Sequence, residues 1–82
     1  MRENVCILGA TGSIGTSTLD VIRRNPNKYR VSVLTARLSV EKLFEQCVEF
    51  QPELAIIEDE NKAYILSEKL KNANLSTQVK FG

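Results

Sequence analysis

The 82-residue chain has no histidine and no tryptophan, and it contains only two cysteines. Without histidine, the chain lacks the side chain that most often acts as a general base or metal ligand near neutral pH. A small secreted domain would carry more cysteines in a disulfide framework, so Cys6 and Cys47 are expected to be small core residues in a reducing compartment. No apolar run approaches the ~18 residues of a membrane span.

The chain also lacks a large excess of charge of either sign, because it has eleven basic and ten acidic residues and a net charge of +1. That balance predicts neither nucleic acid nor an anionic membrane as a partner. Met1 leads within three residues into a predicted strand, which leaves no room for a signal peptide. We therefore expect a cytoplasmic location.

What the sequence does contain is a repeated alternation of strand-like runs and helix-like spacing. The predicted strands are residues 5–8, 30–36, 53–58 and 78–82. Between them, apolar residues recur at helical spacing in three groups: Ile14, Thr18, Val21 and Ile22 with Leu19, then Val40, Leu43, Phe44, Cys47 and Val48, then Ala63, Leu66, Leu70 and Ala73. Ser39 and Asp59 precede the second and third groups as predicted N-caps.

Alternating strands and helices predict an α/β chain with a Rossmann-type, three-layer fold. Its parallel sheet would have βαβαβαβ order and would be truncated after the start of strand 4. Right-handed crossovers would place helices on the faces of the sheet. The expected strand order is 3-2-1, with strand 4 beyond strand 1. The open sheet edge and the short last strand predict that the chain is the N-terminal piece of something longer.

Three glycines, Gly9, Gly12 and Gly15, separate the first strand from the first helix at three-residue intervals. Gly9 permits a tight turn at positive φ. Gly12 lets the backbone approach an anion, and Gly15 lets the helix pack closely. The first-turn amides of the helix have no intrahelical acceptor and lie at the positive end of its dipole. The loop therefore predicts a phosphate-bearing ligand held at Thr11, Gly12, Ser13 and Ile14.

The spacing G-x-x-G-x-x-G is a variant of the dinucleotide fingerprint G-x-G-x-x-G. Its position between a strand and a helix, within a βαβ unit of ~30 residues, favours a dinucleotide over a glycine turn that merely packs tightly. A Walker-type phosphate loop requires lysine where this chain has Thr16. Residues 1–82 are therefore expected to form the N-terminal part of an NAD(P)-binding Rossmann domain, with no second domain in the chain.

The residues after the second strand discriminate between dinucleotides. A carboxylate at this place would hold the ribose 2′-hydroxyl of NAD, but the stretch LTARLS has none. Arg37 stands where a guanidinium can bind a 2′-phosphate through two hydrogen bonds, and Ser39 can add further donors. The alternative is a solvated loop arginine. NADPH is therefore predicted in preference to NADH.

Candidate catalytic groups are scarce. Asp20 is expected to be a surface or capping charge. The other carboxylates are expected on exposed helix faces and at caps rather than in a metal site: Glu41, Glu45, Glu49, Glu53, Glu58, Asp59 and Glu60. No nucleophile has an activating base beside it in the pattern. We expect neither catalytic nor metal-binding residues in this chain.

The stretch ILGATGSIGTSTLDVIRRNP (7–26) resembles the opening of the 1-deoxy-D-xylulose 5-phosphate reductoisomerase family. There the glycine loop runs into a Ser/Thr-Leu-Asp-Val helix that ends at Asn-Pro. The stretch VEKLFEQCVEFQPELAIIEDE (40–60) is similar to that family's second helix and third strand. The resemblance covers essentially the whole chain but only the first part of a family member several times longer.

The resemblance implies cofactor residues at two places in this chain. Thr11, Gly12, Ser13 and Ile14 correspond to the family's pyrophosphate-side residues. The second cofactor segment usually reads Ala-Gly-x-Asn, and here arginine replaces the glycine and serine replaces the asparagine. By position, this second segment is Arg37, Leu38 and Ser39.

The resemblance further implies an oxidoreductase that depends on NADPH and on a divalent metal, Mg or Mn. Family members rearrange and reduce the sugar phosphate 1-deoxy-D-xylulose 5-phosphate to 2-C-methyl-D-erythritol 4-phosphate in non-mevalonate isoprenoid biosynthesis, typically as homodimers. Their metal ligands and substrate-phosphate residues are implied to lie beyond Gly82. The 82-residue chain by itself is therefore expected to be incapable of turnover.

Two alternatives remain open on the sequence. An NADP-dependent reductase of the semialdehyde dehydrogenase type has a similar loop and acts through a cysteine beyond this region. A non-enzymatic NADP-sensing module would need a complete cofactor pocket and a partner surface within the 82 residues.

Overall fold

The structure is a computed structural model that describes residues 2–82. It confirms the predicted alternation of strands and helices in a parallel, Rossmann-type sheet. The elements are β1 (Glu3–Ile7), α1 (Ser13–Arg24), β2 (Tyr29–Ala36), α2 (Val40–Phe50), β3 (Leu54–Ile57), α3 (Glu60–Asn72) and β4 (Gln78–Phe81). None of the helices in this part of the chain has the length and hydropathy needed to span a bilayer.

The strand order is β1-β2-β3-β4, so the prediction that strand 4 lies beyond strand 1 was wrong. The reason lies in the helices, which form a single row. Arg23 of α1 binds Glu49 of α2, and Lys69 of α3 binds Glu41 of α2 at 3.1 Å. Because all three helices share one face, each right-handed crossover moves the chain in the same direction along the sheet. Residues 2–82 therefore supply one helix layer and the sheet.

The core lies between this helix layer and the facing side of the sheet. Lateral strand partners Ile7, Leu34 and Ala55 are buried there, each 5% exposed or less. A β-bulge, in which Val5 pairs with Val31 and Cys6 with Val33, keeps both Val31 and Leu34 on the helix side. The helices contribute the buried side chains Leu19, Ile22, Leu43, Cys47, Ala63, Leu66 and Leu70.

The buried face of α1 differs from the predicted one. Gly15, Leu19 and Ile22 face the core, whereas Ile14 and Val21 are exposed. The predicted apolar face is confirmed at Leu19 and Ile22 but was wrong at Ile14 and Val21, because the helix packs on the side of Gly15, which lies against the Gly9 and Ala10 backbone. The predicted face of α2 is confirmed at Leu43 and Cys47 but was wrong at Val48, which is exposed. The predicted face of α3 is confirmed at Ala63, Leu66 and Leu70 but was wrong at Ala73, which is exposed.

The two cysteines occupy different environments. Cys47 is fully buried, as predicted, and burial raises the pKa of its thiol to about 12. Cys6 is exposed, so its prediction as a core residue was wrong. Cys6 and its partner Val33 lie on the side of the sheet that no helix of residues 2–82 covers.

The second and third helices begin at the N-cap residues that the sequence predicts. Asp59 caps α3, because its carboxylate accepts the Lys62 amide at 2.9 Å. Ser39 is the N-cap residue of α2, but its hydroxyl makes no capping hydrogen bond. Asn25 ends α1 as its C-cap.

Candidate functional site

The glycine loop between β1 and α1 folds tightly onto the first turn of α1. Gly9 has a φ of +67°, which confirms the predicted left-handed turn. A Cβ atom on Gly15 would lie 2.2 Å from the Gly9 carbonyl oxygen and 2.8 Å from Ala10 Cα. Glycine at position 15 therefore allows the loop and the helix to touch.

The end of β2 holds this loop in place. The Thr35 hydroxyl accepts the Gly9 amide at 3.0 Å, and the Thr35 carbonyl accepts the Ala10 amide at 2.7 Å. From α2, the Gln46 side-chain amide donates to the Ala10 carbonyl at 2.8 Å. Ala10 itself is fully buried. The loop is therefore fixed from two sides, by the end of β2 and by α2.

The amide groups at the start of α1 are free to bind a ligand. Gly12 donates to the Gly9 carbonyl at 3.0 Å, and Thr16 donates to the Gly12 carbonyl at 2.9 Å. The amides of Ser13, Ile14 and Gly15 donate to no acceptor within residues 2–82. The helix has no side-chain cap and no acidic residue in its first turn. This helix end therefore presents unsatisfied donors and a positive dipole, which together favour an anion.

Gly12 has a role that differs from that of Gly9 and Gly15. Its φ of −82° suits any residue, and a Cβ there would meet only the Gly9 carbonyl oxygen, at 3.4 Å. The fold therefore does not require glycine at this position. Gly12 is the N-cap residue of α1, so a side chain there would stand at the helix end that favours an anion.

A cavity of about 380 Å³ opens at the carboxyl ends of the strands. Its walls come from the end of each strand: Gly9, Thr35, Ala36, Arg37, Ile56, Glu58 and Gly82. Ligands of open α/β sheets bind at this edge. Arg37 Nε donates to Glu58 Oε2 at 2.9 Å, and the Arg37 side chain remains 82% exposed.

The seven predicted cofactor residues fall into two groups at this edge. Arg37 lines the cavity, and Leu38 and Ser39 follow it outside the lining. Thr11, Gly12, Ser13 and Ile14 continue from Gly9 into α1, also outside the lining. Ile14 is 84% exposed, which is unusual for isoleucine and leaves its side chain available to a ligand. That these seven residues contact a cofactor stays a prediction.

A larger cavity, of about 440 Å³, lies at the opposite end of the sheet and contains three arginines. Glu49 accepts from Arg23 Nε and, at 2.7 Å, from Arg23 Nη2, while Glu53 accepts from Arg30 at 3.1 Å. The hydrogen bond from Arg23 lowers the pKa of Glu49, and the same bond raises the pKa of Arg23. The guanidinium groups of Arg23 and Arg30 are therefore already paired with carboxylates.

Sequence reasoning missed three residues of the site. Thr35 and Gln46 position the loop, and a single sequence carries no signal for such contacts. Glu58 was interpreted as an exposed or capping carboxylate, although it follows β3 and the carboxyl ends of parallel strands meet at one edge. No cluster of three or more potential metal ligands occurs within the residues that the structure describes.

A family model described as 1-deoxy-D-xylulose 5-phosphate reductoisomerase matches residues 5–82. The chain belongs to this family. Among curated reductoisomerases, the chain is 54% identical over 80 residues to that of Dechloromonas aromatica and 48% identical over 81 residues to one from Haemophilus influenzae. These matches cover 98% and 99% of the chain. The chain spans about a fifth of the length of these relatives, 20% in each case.

Solved reductoisomerase structures share the fold. A reductoisomerase crystallised with NADPH, fosmidomycin and magnesium superposes with a TM-score of 0.93 and 41% identity, over 98% of this chain and 19% of that one. The Zymomonas mobilis reductoisomerase in complex with NADPH gives a TM-score of 0.91 and 39% identity, over 100% of this chain and 21% of that one. The family match decides between the two enzyme alternatives, in favour of the reductoisomerases and against the semialdehyde dehydrogenases.

Proposed function

We propose that this chain is the N-terminal part of the NADPH-binding domain of a 1-deoxy-D-xylulose 5-phosphate reductoisomerase. The observation that carries the proposal is the row of unpartnered amides at Ser13, Ile14 and Gly15, behind a loop with no side chain at Gly12. Relatives of the same fold have been crystallised with NADPH. The diphosphate of the cofactor would bind at Thr11, Gly12, Ser13 and Ile14.

The adenosine end of NADPH would lie over the carboxyl ends of the strands. Arg37 would bind the 2′-phosphate, and Leu38 and Ser39 would form the rest of this second segment. A guanidinium suits a phosphate because its N–H groups can make two parallel hydrogen bonds. These two segments fit NADPH because one offers free backbone amides at the start of α1 and the other offers the Arg37 guanidinium, both at one edge of the sheet.

NADPH supplies a hydride when it is bound, and the residues of this chain would bind and orient it. The whole enzyme would rearrange and reduce 1-deoxy-D-xylulose 5-phosphate to 2-C-methyl-D-erythritol 4-phosphate. Its Mg or Mn ligands and substrate-binding residues would lie outside these 82 residues, so this chain alone would not turn over substrate. We also propose that the whole enzyme is a cytoplasmic homodimer that binds neither nucleic acid nor membrane.

Gly12→Val tests the proposed diphosphate site. The branched side chain would fill the space over the helix end, so affinity for both NADPH and NADH should be lost. Isothermal titration of the 82-residue chain and its variant measures both affinities. Thermal unfolding is the control, because a Cβ at position 12 meets its nearest atom at an ordinary 3.4 Å. A folded variant that keeps wild-type affinity would remove the loop from the site.

A further inference from the structure

The end of β3 places a carboxylate beside the arginine that is proposed to bind the 2′-phosphate. Ala36 of β2 and Ile57 of β3 are lateral partners, and the next residues along the two strands are Arg37 and Glu58. The Glu58 amide donates to the Arg37 carbonyl at 3.2 Å, and their side chains meet at 2.9 Å. Both residues line the cavity at the sheet edge.

This ion pair uses only one nitrogen of the guanidinium. Arg37 Nε is bound by Glu58, and neither terminal nitrogen of Arg37 has an acceptor within residues 2–82. The terminal nitrogens therefore remain available for a phosphate. The backbone hydrogen bond keeps the two residues adjacent. A phosphate on Arg37 would therefore approach a cation that has a carboxylate, of the same sign as the phosphate, beside it.

We propose that Glu58 is a specificity-determining residue that reduces the preference of this site for a 2′-phosphorylated nucleotide; this inference rests on the proposed NADPH site. A phosphate monoester carries a charge of about −1.5 to −2 near neutral pH, so the Glu58 carboxylate repels it. A carboxylate can accept a hydrogen bond from the 2′-hydroxyl of an unphosphorylated ribose. Arg37 therefore favours the 2′-phosphate, and Glu58 favours the free 2′-hydroxyl.

The opposite role for Glu58 would be to hold Arg37 in position for the phosphate. That role predicts the opposite sign, because removing the carboxylate would then weaken binding of the phosphate. The pair is exposed, at 82% for Arg37 and 52% for Glu58, and exposed ion pairs fix side chains only weakly. Charge repulsion toward the phosphate is therefore the larger effect.

Glu58→Gln distinguishes these roles, because glutamine keeps the size of the side chain and removes its charge. The probes are adenosine 2′,5′-bisphosphate and adenosine 5′-monophosphate, titrated into the 82-residue chain by calorimetry. The bisphosphate should bind roughly two- to fivefold more tightly to the variant. The monophosphate should bind equally or more weakly. Glu53→Gln is the matched control, because Glu53 pairs with Arg30 at 3.1 Å at the other end of the sheet.

The outcomes separate the inference from the proposed function. Unchanged or weaker bisphosphate binding in Glu58→Gln would overturn the role of Glu58, provided that the wild-type chain binds this probe. An equal gain in bisphosphate affinity in Glu53→Gln would also overturn the role of Glu58, since the gain would then reflect the net charge of the chain. A wild-type chain that binds neither probe would instead refute the proposed nucleotide site.

Discussion

The alpha carbon of Gly15 faces the carbonyl oxygen of Gly9 so closely that a Cβ would lie 2.2 Å from that oxygen. The same oxygen accepts the Gly12 amide at 3.0 Å. Gly9 therefore contacts both other glycines of the loop, one through a hydrogen bond and one through packing. The loop and the first turn of α1 form one rigid unit that directs the free amides outward.

Gly15→Ala should destabilise the chain strongly. Alanine has the higher helix propensity, by about 1 kcal/mol, but its methyl group would collide with backbone atoms that cannot rotate away. The net loss should be about 1–3 kcal/mol, in the range of an overpacked core, and thermal unfolding would measure it. Gly12→Ala is the control and should unfold near the wild-type temperature. Equal stability of both variants would contradict the close contact.

Arg37→Ala should weaken NADPH binding more than NADH binding. Loss of a charged hydrogen-bond donor to the 2′-phosphate should reduce NADPH affinity by about tenfold and leave NADH affinity nearly unchanged. Titration of both nucleotides into the variant checks this expectation. Arg24→Ala is a suitable control, since Arg24 is exposed and, within residues 2–82, pairs only with Asp20. An equal fall in both affinities would show that Arg37 does not bind the 2′-phosphate.

The two thiols should differ sharply in reactivity. Cys6 is exposed, whereas Cys47 is buried and has a pKa raised to about 12, so little of it is thiolate at pH 8. A disulfide reagent should label one thiol per folded chain and two in denaturant. Cys6→Ser should abolish the reaction of the folded chain, and Cys47→Ala should leave it intact. Rapid labelling of Cys47 would mean that the helix layer opens easily.

Stability should fall in acid partly through Glu49. The bond from Arg23 lowers the pKa of Glu49 below its ordinary value of 4.5. A lowered folded-state pKa means that this carboxylate stabilises the fold above pH 4.5 and loses its contribution as the pH falls through the folded-state value. The effect should be small because the pair is exposed.

The measurement is the midpoint of thermal unfolding between roughly pH 5 and pH 3. Glu49→Gln should lose less stability over this range than the wild type does. Glu45→Gln is the control, because Glu45 lies on the same helix and forms no ion pair within residues 2–82. A wild-type pH dependence in Glu49→Gln would show that the Arg23 bond does not stabilise the fold.

The elements of the fold could be predicted because their signals are local. The spacing from Val40 to Cys47 marks α2, and Asp59 caps α3 as its position predicts. Strand order could not be predicted in this way. The apolar face of α3 (Ala63, Leu66 and Leu70) suits either side of a sheet equally, and its contact with α2 selects the side.

The site could be predicted only in part for a similar reason. Glycine spacing indicated the positive φ of Gly9 and the close packing at Gly15. The supports from Thr35 and Gln46 depend on residues about 26 and 36 positions away in the chain, and one sequence does not pair such residues. Glu58, the neighbour of Arg37, was missed because it follows the next strand, 21 positions away in the chain.

Local chemistry along the chain thus specified the alternation of elements, the glycine turn and the family, because backbone conformation and helix ends respond to a few adjacent residues. Folding in three dimensions specified the β1-β2-β3-β4 order, the exposure of Cys6 and the meeting of Arg37 with Glu58. These features depend on which surfaces cover one another, and that coverage arises between segments that are distant in sequence.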